Sequence, residues 1–150
     1  MTLRMLRALA ALLLVAAAGA CARRAPLDVL LAGLEGAIEA RDADAVARHL
    51  APEMTTANGM SGKMAISELK RYFLAYKSLD VSLSEIAPEG DPLRKATVRV
   101  DVSGQARQFG GVAGMLPDVA AYRFELDLVA TDGTLLVSGA SWQRLDRAGP

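Results

Sequence analysis

From Val81 onward the apolar side chains of this chain recur at every second position. Val81 and Leu83 alternate with serines, Val98, Val100 and Val102 with Thr97, Arg99 and Asp101, and Tyr122, Phe124, Leu126 and Leu128 with Arg123, Glu125 and Asp127. Period two with one polar face is the pattern of an antiparallel sheet that is covered on one side only. Gly90-Asp91-Pro92 separates the first two long strands, and Thr131-Asp132-Gly133 predicts a tight hairpin into a last strand over Leu135 to Leu145. Such a sheet needs a cover, which must come from the residues that precede it.

There the period is helical. Leu27, Leu30, Leu31, Leu34 and Ile38 form one stripe at a 3.6-residue repeat, with Pro26 suited to the first turn and Asp28 to the positive end of the helix dipole. Arg41 and Asp42 break this helix, and Asp42 can cap a shorter one that carries Val46 and Leu50 inward before Pro52. After a possible short strand at Met54 to Ala57 and an Asn58-Gly59 turn, Ile66, Leu69, Phe73 and Tyr76 predict a third helix that begins at Ser61 or Gly62 and runs to about Ser78. Three helices followed by about four long strands make an α+β layout, with the helices on the concave face of a strongly curved antiparallel sheet. Only 5% of the residues are aromatic, so the core is mostly aliphatic.

The first 26 residues belong to neither pattern. Arg4 and Arg7 give a positive start, Ala8 to Ala18 an apolar run, and Ala18-Gly19-Ala20 a small-residue cleavage site. The uncharged stretch between Arg7 and Arg23 is shorter than the roughly 20 residues that cross a bilayer, so an export signal is expected rather than a membrane span. One reading of the site is ordinary cleavage that leaves Cys21 as a free thiol. The other is lipidation: "AAAGAC" resembles the end of a bacterial lipoprotein signal, although Ala18 stands where Leu or Val is commoner. The chain has no second cysteine for a disulfide. The resemblance implies a signal peptide over 1–20, a lipidated N-terminus and tether over 21–26, and a domain over 27–148. It also implies a membrane anchor through Cys21 and, since Ala22 is not aspartate, the periplasmic face of the outer membrane. Several acyl chains would anchor stably, each buried methylene contributing about 0.8 kcal/mol. Without Arg4 and Arg7 the 17 basic residues fall to 15 against 17 acidic ones, which leaves no footprint for nucleic acid.

"LLAGLEGAIEARDADAVARHLAPE", together with the order of elements that follows and the late Trp142, resembles the nuclear transport factor 2-like superfamily, which includes SnoaL-like and ketosteroid isomerase-like proteins. The resemblance runs from about Leu27 to Leu145 and implies a cone that often holds a pocket. Ketosteroid isomerases of that group use an Asp base with Tyr and protonated-acid donors. The matching inward positions here are Leu30, Leu31, Leu34, Val98, Val100 and Val102. No catalytic set carries over.

Other chemistry is sparse. His49, the only histidine, is either a general base or a partner for a helix C-terminus, and the second role is expected. Arg99, Asp101, Arg123, Glu125 and Asp127 read as cross-strand pairs on a wet face. The glycines of "FGGVAGM" join two strands and do not open a helix, which excludes a phosphate loop. With one histidine and one cysteine neither a metal site nor a cofactor is expected. What remains is apolar lining: Met54, Phe73, Tyr76, Tyr122 and Trp142 as candidate pocket wall, with Phe109, Met115 and Leu116 as a candidate lid. Most of this wall is expected to be solid core, with Tyr122 and Trp142 the better pocket residues because their polar atoms need partners. The expectation is a non-catalytic, membrane-anchored domain that binds a small apolar ligand or an envelope protein. An enzyme with an unrecognised site and a structural subunit of an envelope complex are the alternatives.

Overall fold

Leu27, Leu30 and Leu31 are 0%, 2% and 4% exposed, so the predicted stripe is the buried face of the first helix. The computed structural model describes residues 24–107 and 119–145, and α1 is helical over 24–39. Its end is a Schellman motif: Arg41 adopts φ 54°, its amide donates to Ile38 O at 2.9 Å, and the Asp42 amide donates to Ala37 O at 2.9 Å. Asp42 then caps α2 (Ala43–Ala47), its carboxylate accepting from the Ala45 amide at 2.9 Å. Leu50, expected on that helix, instead opens β1 (Leu50–Thr56). Ser61 caps α3 (Gly62–Ala75) by accepting from the Met64 amide.

The third helix stops at Ala75, three residues short of its expected end, because Tyr76 already pairs with Ala106 as the first residue of β2 (Tyr76–Glu89). A stripe of apolar residues at helical spacing cannot report that its last member is presented by a strand. The sheet continues with β3 (Lys95–Ala106), β4 (Val119–Thr131) and β5 (Thr134–Leu145), and its order is β1-β5-β4-β3-β2. The four long strands are antiparallel neighbours, as expected. The sheet has five strands, however, since β1 adds to β5 in parallel, with Leu50 opposite Val137 and Thr55 opposite Gly139. The carbonyl of His49 begins that contact by accepting from the Val137 amide at 2.9 Å. A parallel partner more than 80 residues away leaves no local signature, whereas the β4–β5 hairpin shows in Asp132 and Gly133, both at positive φ.

Two apolar clusters fill the space between helices and sheet. Leu27, Leu30 and Leu31 meet Ala96, Val98, Leu126, Leu128, Leu135 and Val137, while Ala37, Ala43, Val46, Phe73, Tyr76 and Leu79 close the other end. Register shifts at Tyr76/Ser78, Ser84/Ala87 and Asp127/Leu128 bend the strands, so the sheet curls without closing. Gly104 sits at the sharpest approach. A Cβ there would lie 2.6 Å from Ser78 O and 3.0 Å from the Tyr76 ring. Among the described residues no helix is long and apolar enough to cross a membrane.

Candidate functional site

The inner face of the curled sheet carries the apolar members of each strand, and toward the start of β4 and the end of β5 these become aromatic. Tyr72 on α3 and Tyr76 at the start of β2 are four residues apart, with ring centroids 4.7 Å apart. On β4, Tyr122 meets Phe124 edge to face at 6.2 Å, and Phe124 stacks on Trp142 of β5, its register partner, at 5.7 Å and 27°. Tyr122 lies near enough to Tyr72 to add the smallest of the contributions that raise its pKa. Five of the seven aromatic residues, all three tyrosines among them, thus lie in these two ring groups.

Burial decreases along this wall. Tyr76 is 1% exposed, Tyr72, Tyr122 and Phe124 are half-buried, and Trp142 is 45% exposed. The deep end is core, and the shallow end is an open aromatic surface. Burial, followed by the hydrogen bond with Tyr76 and the nearby Tyr122, raises the Tyr72 phenol above its ordinary value of 10.0. It therefore stays protonated at neutral pH as a hydrogen-bond donor and does not act as a base. A raised folded-state value means that the unfolded chain releases this proton first. The stabilisation from neutral Tyr72 is complete below about pH 10 and is lost as pH rises above that. Tyr72→Phe is expected to flatten the fall in melting temperature between pH 9 and 11, read by circular dichroism, and equal slopes in both proteins would refute this assignment.

The expected pocket residues divide. Met54 and Phe73 are both 5% exposed, and Tyr76 is buried with Phe73 in the second apolar cluster. Met54 packs against Gly62 at the foot of α3. Only Tyr122 and Trp142 stand at an accessible surface, joined by Tyr72 and Phe124. Tyr72 lies three residues beyond Leu69 and four before Tyr76, a spacing that places it on the inner stripe of α3. Cys21 and the proposed lid residues Phe109, Met115 and Leu116 lie outside the described residues.

His49 is packed over Gly33 of α1, so closely that a Cβ on Gly33 would lie 2.6 Å from its Cε1. Its imidazole forms no ion pair with a described carboxylate. Its surroundings are those of a packing residue at a helix junction.

On the outer face, Arg99 and Arg123 are register partners, a like-charge pair that each relieves separately. Arg99 pairs with Asp101 along its own strand at 3.0 and 3.2 Å, which raises the Arg99 pKa further, and Arg123 reaches Glu85 at 3.5 Å. Lys95 and Asp127 do pair across strands as expected, at 3.5 Å. Beside them a polar groove of about 300 Å³ opens between Thr55, Lys95, Glu125 and Ser141. Its ion pair is more than half exposed and contributes little. Among the described residues no cluster of His, Cys, Asp and Glu has the makings of a metal site.

No model of a known protein family matches the chain, and no curated protein sequence does. Solved structures do. ActVI-ORFA from Streptomyces coelicolor is 13% identical with a TM-score of 0.65, over 83% of this chain and 95% of that one. A candidate scytalone dehydratase from Novosphingobium aromaticivorans is 13% identical with a TM-score of 0.64, over 80% and 82%. A type 2 hexachlorocyclohexane dehydrochlorinase, LinA, is 15% identical with a TM-score of 0.60, over 85% and 91%. The domain therefore has the nuclear transport factor 2-like fold, with a curled, unclosed five-stranded sheet. At these identities fold is what is shared.

Proposed function

We propose that the chain is an exported lipoprotein, anchored through Cys21 to the periplasmic face of the outer membrane, whose cone binds a small apolar or aromatic molecule. The observation that carries the binding reading is the half-open wall of Tyr122, Phe124 and Trp142, backed by the protonated Tyr72 phenol. Aromatic faces supply apolar contact area, and the Tyr122 hydroxyl supplies one polar atom, the usual composition of a small-molecule site. The short link fits the anchor: only Ala22 and Arg23 separate Cys21 from the residues that are helical from Arg24 on.

Trp142 is the only tryptophan and is its own reporter. Titrating the purified full-length chain with 2-naphthol is expected to quench its emission along a saturable curve. Tyr122→Leu, which keeps the reporter, is expected to weaken the midpoint about fivefold, in line with the 0.5–1.5 kcal/mol of an aromatic contact. Linear quenching, or a midpoint that Tyr122→Leu leaves in place, would remove the binding reading. For the anchor, Cys21→Ala is expected to release the protein into the periplasm or to leave the precursor uncleaved. A mature, membrane-bound Cys21→Ala protein would rule the anchor out.

A second reading, an enzyme on the same wall, draws on the shared fold with a dehydrochlorinase. There the Tyr122 phenol would donate to an oxygen or halide that gains charge. Turnover of a halogenated or carbonyl substrate that disappears in Tyr122→Phe would establish it over simple binding.

A further inference from the structure

Two arginines from segments far apart in the chain converge on one carbonyl oxygen. Arg41, at the end of α1, donates from Nη1 to Tyr76 O at 2.9 Å, and Arg107, just after β3, donates from Nε to the same oxygen at 3.3 Å. The two nitrogens therefore lie no more than about 6 Å apart. Neither guanidinium pairs with a carboxylate among the described residues.

Both are held in place. Arg107 is fixed through its amide, which donates to Ala75 O at 2.8 Å. Arg41 occupies the left-handed position that ends α1, where glycine is the ordinary choice and a side chain is strained. Capping the negative end of α3 explains one cation. It does not by itself call for two: the carbonyl's two lone pairs can accept both N–H groups, but the second guanidinium brings its positive charge close to the first. A group that accepts from both guanidiniums at once would remove that repulsion, and guanidinium forks match carboxylate and phosphate oxygens.

We propose that Arg41 and Arg107 form a clamp for an oxyanion, a carboxylate or a phosphate, at the junction of α3 and β2. The clamp stands on its own geometry and does not rest on the aromatic wall. The anion has two possible sources, a free solute or an anionic lipid headgroup.

The full-length chain in a non-ionic detergent is titrated with inorganic phosphate at constant ionic strength, and the arginine Nε–Hε resonances are followed by NMR. The Arg41 and Arg107 signals are expected to move along one saturable curve, while exposed Arg48 and Arg94 drift linearly. Loss of one charge-assisted partner, in Arg41→Gln or Arg107→Gln, is expected to weaken the midpoint about tenfold. Arg107→Gln leaves the Arg41 bond to Tyr76 in place, so it serves if Arg41→Gln fails to fold. Phosphatidylglycerol mixed into the same micelles is the second arm: a tighter midpoint than free phosphate identifies a headgroup as the ligand, and an equal or weaker one a solute. Linear drift of both signals with both probes, or saturation at an unchanged midpoint in Arg107→Gln, overturns the clamp.

Discussion

Gly104→Val is expected to destabilise the domain by about 3 kcal/mol, the upper end of what overpacking costs. A Cβ at that position would lie 2.6 Å from Ser78 O, 2.9 Å from Leu79 Cδ2 and 3.0 Å from the Tyr76 ring, and the first of these atoms is backbone, which cannot swing aside. The strand would have to separate from β2 where the register shift between Tyr76 and Ser78 brings the two closest. Urea unfolding followed by far-ultraviolet circular dichroism measures the loss. A midpoint within the error of the parent protein would mean that Gly104 is tolerated for reasons other than space.

Tyr76→Ala is expected to have a larger effect, about 3–5 kcal/mol, a large part of the 5–15 kcal/mol by which domains of this size are stable. The side chain is 1% exposed, stacks on Tyr72, and belongs to the cluster of Ala37, Val46, Phe73 and Leu79 that joins all three helices to β2. Tyr76→Phe keeps the ring and removes only the hydroxyl that hydrogen-bonds Tyr72, so it is expected to cost about 1 kcal/mol. Comparing the two variants separates packing from hydrogen bonding. Equal losses would show that the hydroxyl, and not the ring, is what this position supplies.

How much of this was legible beforehand depended on how local the cause was. The stripe Leu27, Leu30, Leu31 is buried as its spacing requires, Asp42 and Ser61 cap the helices that follow them, and the Asp132-Gly133 turn joins β4 to β5. Each is decided within a few residues by helical or strand periodicity and by the conformations that turn residues allow. Leu50 and Tyr76 were misplaced for the opposite reason. Both are apolar residues at helical spacing, and each was claimed by a strand whose partner, Val137 or Ala106, lies at least 30 residues further on.

The candidate site shows the same division. Tyr122 and Trp142 were named from the sequence because an aromatic residue with a polar atom on a predicted inner face needs a partner, and the structure leaves both partly exposed. Tyr72 was not singled out, since what marks its phenol is burial and the hydrogen bond with Tyr76, which only the packed helix and strand bring about. The convergence of Arg41 and Arg107 on Tyr76 O was invisible, because three segments separated by more than 30 residues meet at one atom.

The amino-acid sequence by itself thus determined the α+β order, the buried face of each helix and long strand, the hairpin and the caps, and the proposed anchor at Cys21 rests on it alone. The tertiary structure alone decided that β1 joins the sheet in parallel, that Gly104 lets Tyr76 close against β3, and that the three rings of Tyr122, Phe124 and Trp142 form one wall. The reason is physical: propensity, capping and periodicity act over one or two turns of chain, whereas contacts between distant segments depend on where the curl of the sheet brings them.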